Sequence, residues 1–264
     1  MSRPSLVATD LDGTLLDDEG RLTDHTQDVL RRVQELGVRV VIVTARPLRW
    51  MDQLWAQVGG GRGVGIVSNG AITYDIGSRQ VLDLRGIASD VGLPMVEAIR
   101  EAAPGTAIAL ECLGGYRHEP AYVDLHPTPP DMRVSELADL WDEPAAKVLA
   151  QHLTLDPDDF RARVIDAVGD QATPTWTIDH LMEISAAGVT KGGALAALCE
   201  RLGVAAEDVV AFGDMPNDLA MLTWAGTSYA VANGHESVLA AADHVAPRNT
   251  DDGVAVTLAR VFGL

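Results

Sequence analysis

The sequence predicts an α/β protein: a Rossmann-like, doubly wound parallel sheet interrupted by an inserted α+β domain. Three observations predict it. In the first 70 residues short apolar, β-branched runs alternate with helical segments, and the same alternation returns in the last 75. Between them lies a stretch of different texture, with alternating strands and most of the prolines.

Leu6-Val7-Ala8 opens the first strand, and Val38 to Val43 is a β-branched run suited to a strand buried on both faces. Thr23 or Asp24 can cap a helix whose apolar positions Val29, Val33 and Leu36 recur at helical spacing before Gly37 stops it. That is one βαβ unit. Pro47, well placed for a first helical turn, starts a second helix that leads through glycines 59 to 61 to the strand Val64 to Val67. At the other end Thr190 caps a helix through Leu202, Val209 to Phe212 is a strand, and Pro216 to Trp224 a helix. Tyr229 to Ala232 and His235 to Ala241 repeat the alternation. Right-handed crossovers join both ends most economically into one sheet. The core therefore comprises residues 1–81 and 186–264, and the insert 82–185. In the insert, helices are expected near 90–103 and 157–168, with strands near 106–112, 115–124, 146–151, 173–178 and 181–185. Pro127-Thr-Pro-Pro130 reads as a stiff loop.

Composition narrows the function classes. With 47 % hydrophobic and 22 % charged residues and no apolar run of membrane-spanning length, the chain reads as globular. Its first residues lack a secretory apolar stretch, so a cytoplasmic location is expected. A net charge of −18 repels nucleic acid and anionic membranes, so neither is an expected partner. A small anionic metabolite stays admissible where a cation reverses the field inside one cleft. Two cysteines, Cys112 and Cys199, have no metal-ligand spacing and read as packing thiols.

Chemistry gathers at strand ends. Asp10-Leu-Asp12-Gly-Thr14 follows the first strand, at the edge where open α/β sheets place their ligands. Two carboxylates there allow one to attack while the other manages a proton. Asp12 could instead be only a turn residue, because Asp-Gly is a common turn. Gly213-Asp214-Met-Pro-Asn217-Asp218 follows a second strand, so further acids and an amide reach the same edge. Four acids together, Asp10, Asp12, Asp214 and Asp218, call for a hard cation, and an all-oxygen set suits Mg²⁺ better than Zn²⁺. Thr44 and Arg46 end another strand, and Lys191 opens a helix after Thr190. A hydroxyl, an ammonium and a helix N-terminus are the parts that hold a phosphoryl group.

Taken in order, these segments resemble the haloacid dehalogenase superfamily, and within it the Cof-like phosphatases with a large α/β cap between motifs two and three. Asp10-x-Asp12-Gly-Thr is similar to motif one, Thr44 to motif two, Lys191-Gly192 to motif three, and Gly213-Asp214-x-x-Asn217-Asp218 to motif four. Ser68-Asn69-Gly70-Ala71 and Asn249-Thr-Asp-Asp-Gly253-Val-Ala255 also resemble segments of that subfamily. The resemblance implies a hydrolase that forms an aspartyl-phosphate on Asp10, with Asp12 as general acid and base. Asp10, the Asp12 carbonyl and Asp214 would hold Mg²⁺; Asp218 would orient Lys191 or a metal water. Thr44, Lys191 and Asn217 would grip the phosphate. Sugar phosphates or similar small monoesters are the implied substrates; a phosphomutase, or a non-catalytic phospho-acceptor or ligand-binding module, are the alternatives. Ala45 and Met215 stand where the family often has glycine and a small residue, so the backbone there must accept a Cβ.

The insert is expected to act as a lid that supplies substrate contacts. Its segment Glu111 to His118 carries a Gly-Gly hairpin tip, which makes Tyr116, Arg117 and His118 candidate substrate-binding residues alongside Arg46 and Asn69.

Overall fold

The computed structural model of the chain describes residues 3–58, 63–125, 129, 132–176 and 178–264. Glycines 59 to 61 and the Pro127-Pro130 stretch, except Pro129, lie outside the described residues. The chain divides into two compact units, one of Met1–Asp83 with Thr190–Leu264, the other of Leu84–Val189.

The first unit begins with β1 (Leu6–Thr9), α1 (Asp24–Glu35) and β2 (Arg39–Val43). Thr23 is the cap of α1: its hydroxyl oxygen accepts from the Thr26 amide at 3.1 Å, satisfying one of the free N–H groups of the first turn. Thr26, Val29, Leu30 and Val33 form the buried face, at helical spacing. After Pro47 the chain does not build one long helix. It makes a 3-10 turn, Leu48–Trp50, and a single-turn helix α2 (Asp52–Trp55). β3 (Val64–Val67) follows, then β4 (Ile72–Asp75) and β5 (Gln80–Leu84), two strands the sequence reading lacked.

The second unit contains α3 (Ser89–Ala102), β6 (Ala107–Cys112), β7 (Gly115–His118), β8 (Arg133–Val134), α4 (Leu137–Leu140), β9 (Ala145–Gln151), α5 (Pro157–Val168), β10 (Ala172–Thr175) and β11 (Leu181–Ala186). Its sheet runs β10-β11-β9-β6-β7-β8, antiparallel except for the last pair. The strand expected over 115–124 ends at His118, where the Glu119 amide donates back to the Ile108 carbonyl and Pro120, which has no amide hydrogen, ends the ladder. Ile108, Leu110, Val148, Ala150, Met182 and Ile184 point to one face and pack with Ile99, Phe160 and Val164 of α3 and α5. Because side chains alternate along a strand, Tyr116, Glu111, Lys147 and Glu183 belong to the other face.

The chain then returns to the first unit through α6 (Lys191–Leu202), β12 (Val209–Gly213), α7 (Leu219–Trp224), β13 (Thr227–Val231), α8 (Glu236–Ala241), β14 (His244–Ala246) and α9 (Gly253–Phe262). The core sheet has the order β14-β13-β12-β1-β2-β3-β4-β5. Its first six strands are parallel, and β4 runs antiparallel to β3, inside the edge strand β5. Leu6, Ala8, Val41, Val209 and Ala211 pack with Leu195, Leu198 and Met221 of α6 and α7. The alternate residues Val7, Ile42 and Val210 are buried too, and α1 and α9 pack on each other beside β2 and β14. A sheet buried on both faces needs uninterrupted apolar strands, which is why these segments are legible. No described helix is long and apolar enough to cross a membrane.

Candidate active site

Register brings the chemistry together. β1 pairs with both β12 and β2, Thr9 lying opposite Phe212 and Ile42, so the residues that follow these strands emerge at one carboxyl edge. They are Asp10, Asp214 and Thr44. The Asp10 amide donates to the Phe212 carbonyl at 3.1 Å, and the Thr44 amide to the Ile66 carbonyl at 2.9 Å. The chain turns away after Asp10 through Gly13, whose φ of +74° places it where a Cβ would lie 2.5 Å from Asp214 Oδ2. Only glycine lets the first loop approach the second acid this closely.

Lys191 opens α6, where Thr190 caps the helix by accepting from the Gly193 amide at 3.0 Å. Its side chain is buried, with Nζ 3.0 Å from Asp10 Oδ1 and 2.7 Å from Asp218 Oδ1. Asp218 is fully buried as well, and its other oxygen accepts from the amides of Asp214 and Met215, both at 3.0 Å. Both Asp218 oxygens are thereby engaged in orienting Lys191 and the motif loop. Thr14 donates its hydroxyl to Asp214 Oδ1 at 2.6 Å.

The electrostatics are unbalanced. Oxygen atoms of Asp10, Asp214 and Asp218 lie within 4.8 Å of one another, with one ammonium among them. Burial pushes the Asp10 carboxyl well above its ordinary pKa; Lys191 opposes this, and Asp218 and Asp214 add to it. Burial likewise pushes Asp214 up to about 6, against the hydrogen bond from Thr14. For Lys191 burial works against the charge, and Asp10 and Asp218 more than offset it, so the ammonium titrates above its ordinary range. A buried group of three acids and one cation, offering only oxygen donors, fits a hard divalent cation.

Thr44 is buried, its hydroxyl oxygen accepting from the Arg46 amide at 3.1 Å. Arg46 itself turns to Asp12, with Nε 2.7 Å from Oδ2 and Nη2 2.5 Å from Oδ1. Asn217 Nδ2 donates to Asn69 Oδ1 at 3.1 Å. Neither Ala45 nor Met215 needs a positive φ, so each accommodates its side chain. The structure thus brings together Asp10, Asp12, Thr44, Arg46, Asn69, Lys191, Asn217, Asp214 and Asp218 within one unit.

The three hairpin residues belong to the second unit and each has partners there. Tyr116 Oη donates to Asp124 Oδ1 at 2.7 Å, and the His118 ring meets the Glu119 carbonyl at 2.7 Å. Arg117 sits differently from its two neighbours. Strand alternation turns it to the opposite face from Tyr116 and His118, where it donates to the Leu140 carbonyl at 2.6 Å and pairs with Asp142 and Glu143. Its buried guanidinium ties β7 to the segment after α4.

Sequence reasoning missed Asn233 and gave Asn249 no role beyond its place in a family-like segment, yet both support the first loop. Asn233 Nδ2 donates to the Gly13 carbonyl at 2.7 Å, and Asn249 Nδ2 to the Leu16 carbonyl at 3.0 Å. Asn233 stands just beyond β13, so the strand-end rule that located Asp10 could have flagged it.

Residues 7–258 match the family model described as haloacid dehalogenase-like hydrolase. The chain belongs to that hydrolase family. Among relatives in the family, it is 28 % identical over 272 residues to the 5-amino-6-(5-phospho-D-ribitylamino)uracil phosphatase YitU of Bacillus subtilis, covering 100 % of this chain and 99 % of that one. It is 28 % identical to the pyridoxal phosphate phosphatase YbhA of Escherichia coli, over 95 % of this chain and 96 % of the relative. Its fold matches a solved Thermotoga maritima structure with a TM-score of 0.81 at 26 % identity, covering 98 % and 97 % of the two chains. A haloacid dehalogenase-like hydrolase from Bacteroides thetaiotaomicron gives 0.82 at 24 % identity, covering 98 % and 100 %.

Proposed function

We propose that this hydrolase is a Mg²⁺-dependent phosphatase of small phosphate monoesters, working through an aspartyl-phosphate on Asp10. The observation that carries the reading is the buried Asp10 carboxylate, held 3.0 Å from Lys191 Nζ beside Asp214. The relatives named for phosphoribityl and pyridoxal phosphate substrates support a small phosphorylated metabolite, sugar phosphates included.

In this reading Asp10 attacks phosphorus through a carboxylate oxygen, and the bond from phosphorus to the ester oxygen breaks. Asp12 delivers its proton to that leaving oxygen. The same carboxylate then takes a proton from water, whose oxygen attacks phosphorus and releases Asp10. Asp12 suits this double duty because its side chain is half exposed while that of Asp10 is buried. Lys191, Thr44 and Asn217 hold the phosphoryl oxygens as negative charge redistributes among them. A Mg²⁺ held by Asp10, Asp214 and the Asp12 carbonyl would supply the charge that keeps Asp10 ionised and screens it from the phosphoryl group. Asp218 stays outside that set, both its oxygens being engaged.

The test is a panel of phosphorylated metabolites, each with Mg²⁺ and with excess chelator, scored by free phosphate. Release from at least one ester, abolished by chelator, is expected. Transfer of the phosphoryl group to a second sugar without release would establish a mutase instead.

A further inference from the structure

Ser68–Gly70 forms a buried 3-10 turn directly after β3, and its backbone is unusual. Ser68 has φ 52° and Asn69 φ 57°, two consecutive side-chain-bearing residues in the left-handed region, followed by Gly70 at φ 103°. Such conformations persist only where the surroundings over-determine them. Here the surroundings are three other segments. The Ser68 amide donates to the Arg46 carbonyl at 2.9 Å and the Asn69 amide to the Thr44 carbonyl at 3.1 Å. A Cβ on Gly70 would lie 2.4 Å from the Thr190 carbonyl oxygen, so the turn packs backbone against backbone on the start of α6. Asn69 Oδ1 accepts from Asn217 Nδ2 at 3.1 Å. One turn of three residues therefore touches the segments that carry Thr44, Lys191 and Asn217.

We propose that Asn69 is a positioning residue: it orients the Asn217 amide, and its turn is the common support of the three phosphate-gripping groups. The inference rests on the phosphatase reading above. An amide offers two N–H donors at one end and an acceptor oxygen at the other. With one N–H given to Asn69 Oδ1, the second stays available to a phosphate oxygen; the flipped amide would present its own oxygen to an anion. Asparagine suits the position twice over. Among side-chain-bearing residues it tolerates the left-handed backbone well, and its oxygen accepts without adding a charge beside the phosphate.

The test is a double-mutant cycle of Asn69→Gly and Asn217→Ala on the full chain. Glycine keeps the left-handed backbone and removes only the side chain, and an unchanged Tm checks the fold. Two readouts are taken, kcat/KM on several esters and competitive inhibition by inorganic phosphate with Mg²⁺. We expect Asn69→Gly to weaken both by about tenfold, by the same factor for every ester, as befits one hydrogen bond to a charged group. In the Asn217→Ala background the same change is expected to matter less than about twofold, because coupled residues do not act additively. Full multiplication of the two losses would overturn the proposal, and so would a factor that varies from ester to ester, the mark of direct substrate contact. If the wild-type chain releases phosphate from no ester, the phosphatase reading fails on its own. The cycle is then read from the Tm rise on adding inorganic phosphate with Mg²⁺, where non-additive losses support the role of Asn69 and additive ones overturn it.

Discussion

Arg46 engages both carboxylate oxygens of Asp12, one through Nε at 2.7 Å and the other through Nη2 at 2.5 Å. The residue that the sequence offered as a substrate contact is thus, in this structure, the partner of the proposed acid and base. A planar fork on a carboxylate fixes direction as well as charge.

Arg46→Met is accordingly expected to lower kcat by roughly tenfold on esters with poor leaving groups, a fraction of the full acid–base contribution. On an activated aryl phosphate, whose leaving oxygen needs little protonation, the loss should be smaller. Steady-state rates on both classes check this. Equal losses would mean that Arg46 serves binding alone.

The two acids of the first loop separate by trapping. On the proposed roles, Asp12→Asn would leave Asp10 able to attack and remove the group that activates water, so turnover should fall by about 10² or more. With an activated ester, a phosphate adduct on Asp10 should accumulate and be seen by mass spectrometry after acid quench. Asp10→Asn should give neither turnover nor adduct. An adduct mapped to any other residue would contradict the assignment.

A proton and the proposed cation would compete at Asp214. Its folded pKa is raised from 3.8 to about 6, so the stability this group contributes to the metal-free fold is full below about pH 4 and lost as pH rises through 6. The proposed Mg²⁺ would bind the ionised form. The rise in Tm caused by Mg²⁺, measured against excess chelator, should therefore be small at pH 5 and grow towards pH 7.5. Asp214→Asn should remove most of it. A pH-independent rise, or one retained in the variant, would exclude Asp214 as a ligand.

Burial pushes the Cys112 thiol up to about 12 and the Cys199 thiol up to about 11. At pH 8 the reactive thiolate is then on the order of one part in a thousand or less at each. Iodoacetamide should leave the native protein unlabelled and fully active, and should label both cysteines once the chain is unfolded. Rapid native labelling with loss of activity would overturn the reading of both as packing residues.

Much of this was legible because physics forces it into the sequence. Strands buried on both faces must be apolar throughout, so Val209–Gly213 and Arg39–Val43 announce themselves, and Thr23 and Thr190 mark helix starts through their hydroxyls. The acids at strand ends follow from the same rule. The edge strand Gln80–Leu84 and its neighbour Ile72–Asp75 did not show, since partly exposed strands carry no continuous apolar run. That Arg117 faces away from Tyr116 was not legible, because composition names a residue but not its face; one step along the strand separates the two. The support roles of Asn233 and Asn249 were hidden for another reason. A side-chain amide that holds a distant carbonyl leaves no periodic trace.

Those two amides also order events in time. They hold the carbonyls of Gly13 and Leu16 from 220 and 233 positions downstream. On the ribosome, the loop bearing Asp10 and Asp12 emerges long before these two amides exist to brace it. A chain that stops short of Asn233 carries the proposed nucleophile, Lys191 and the Thr14 tie to Asp214, yet lacks the two amides that hold the Gly13 and Leu16 carbonyls. Truncated chains of that kind are expected to be inactive, because the first loop lacks those two supports.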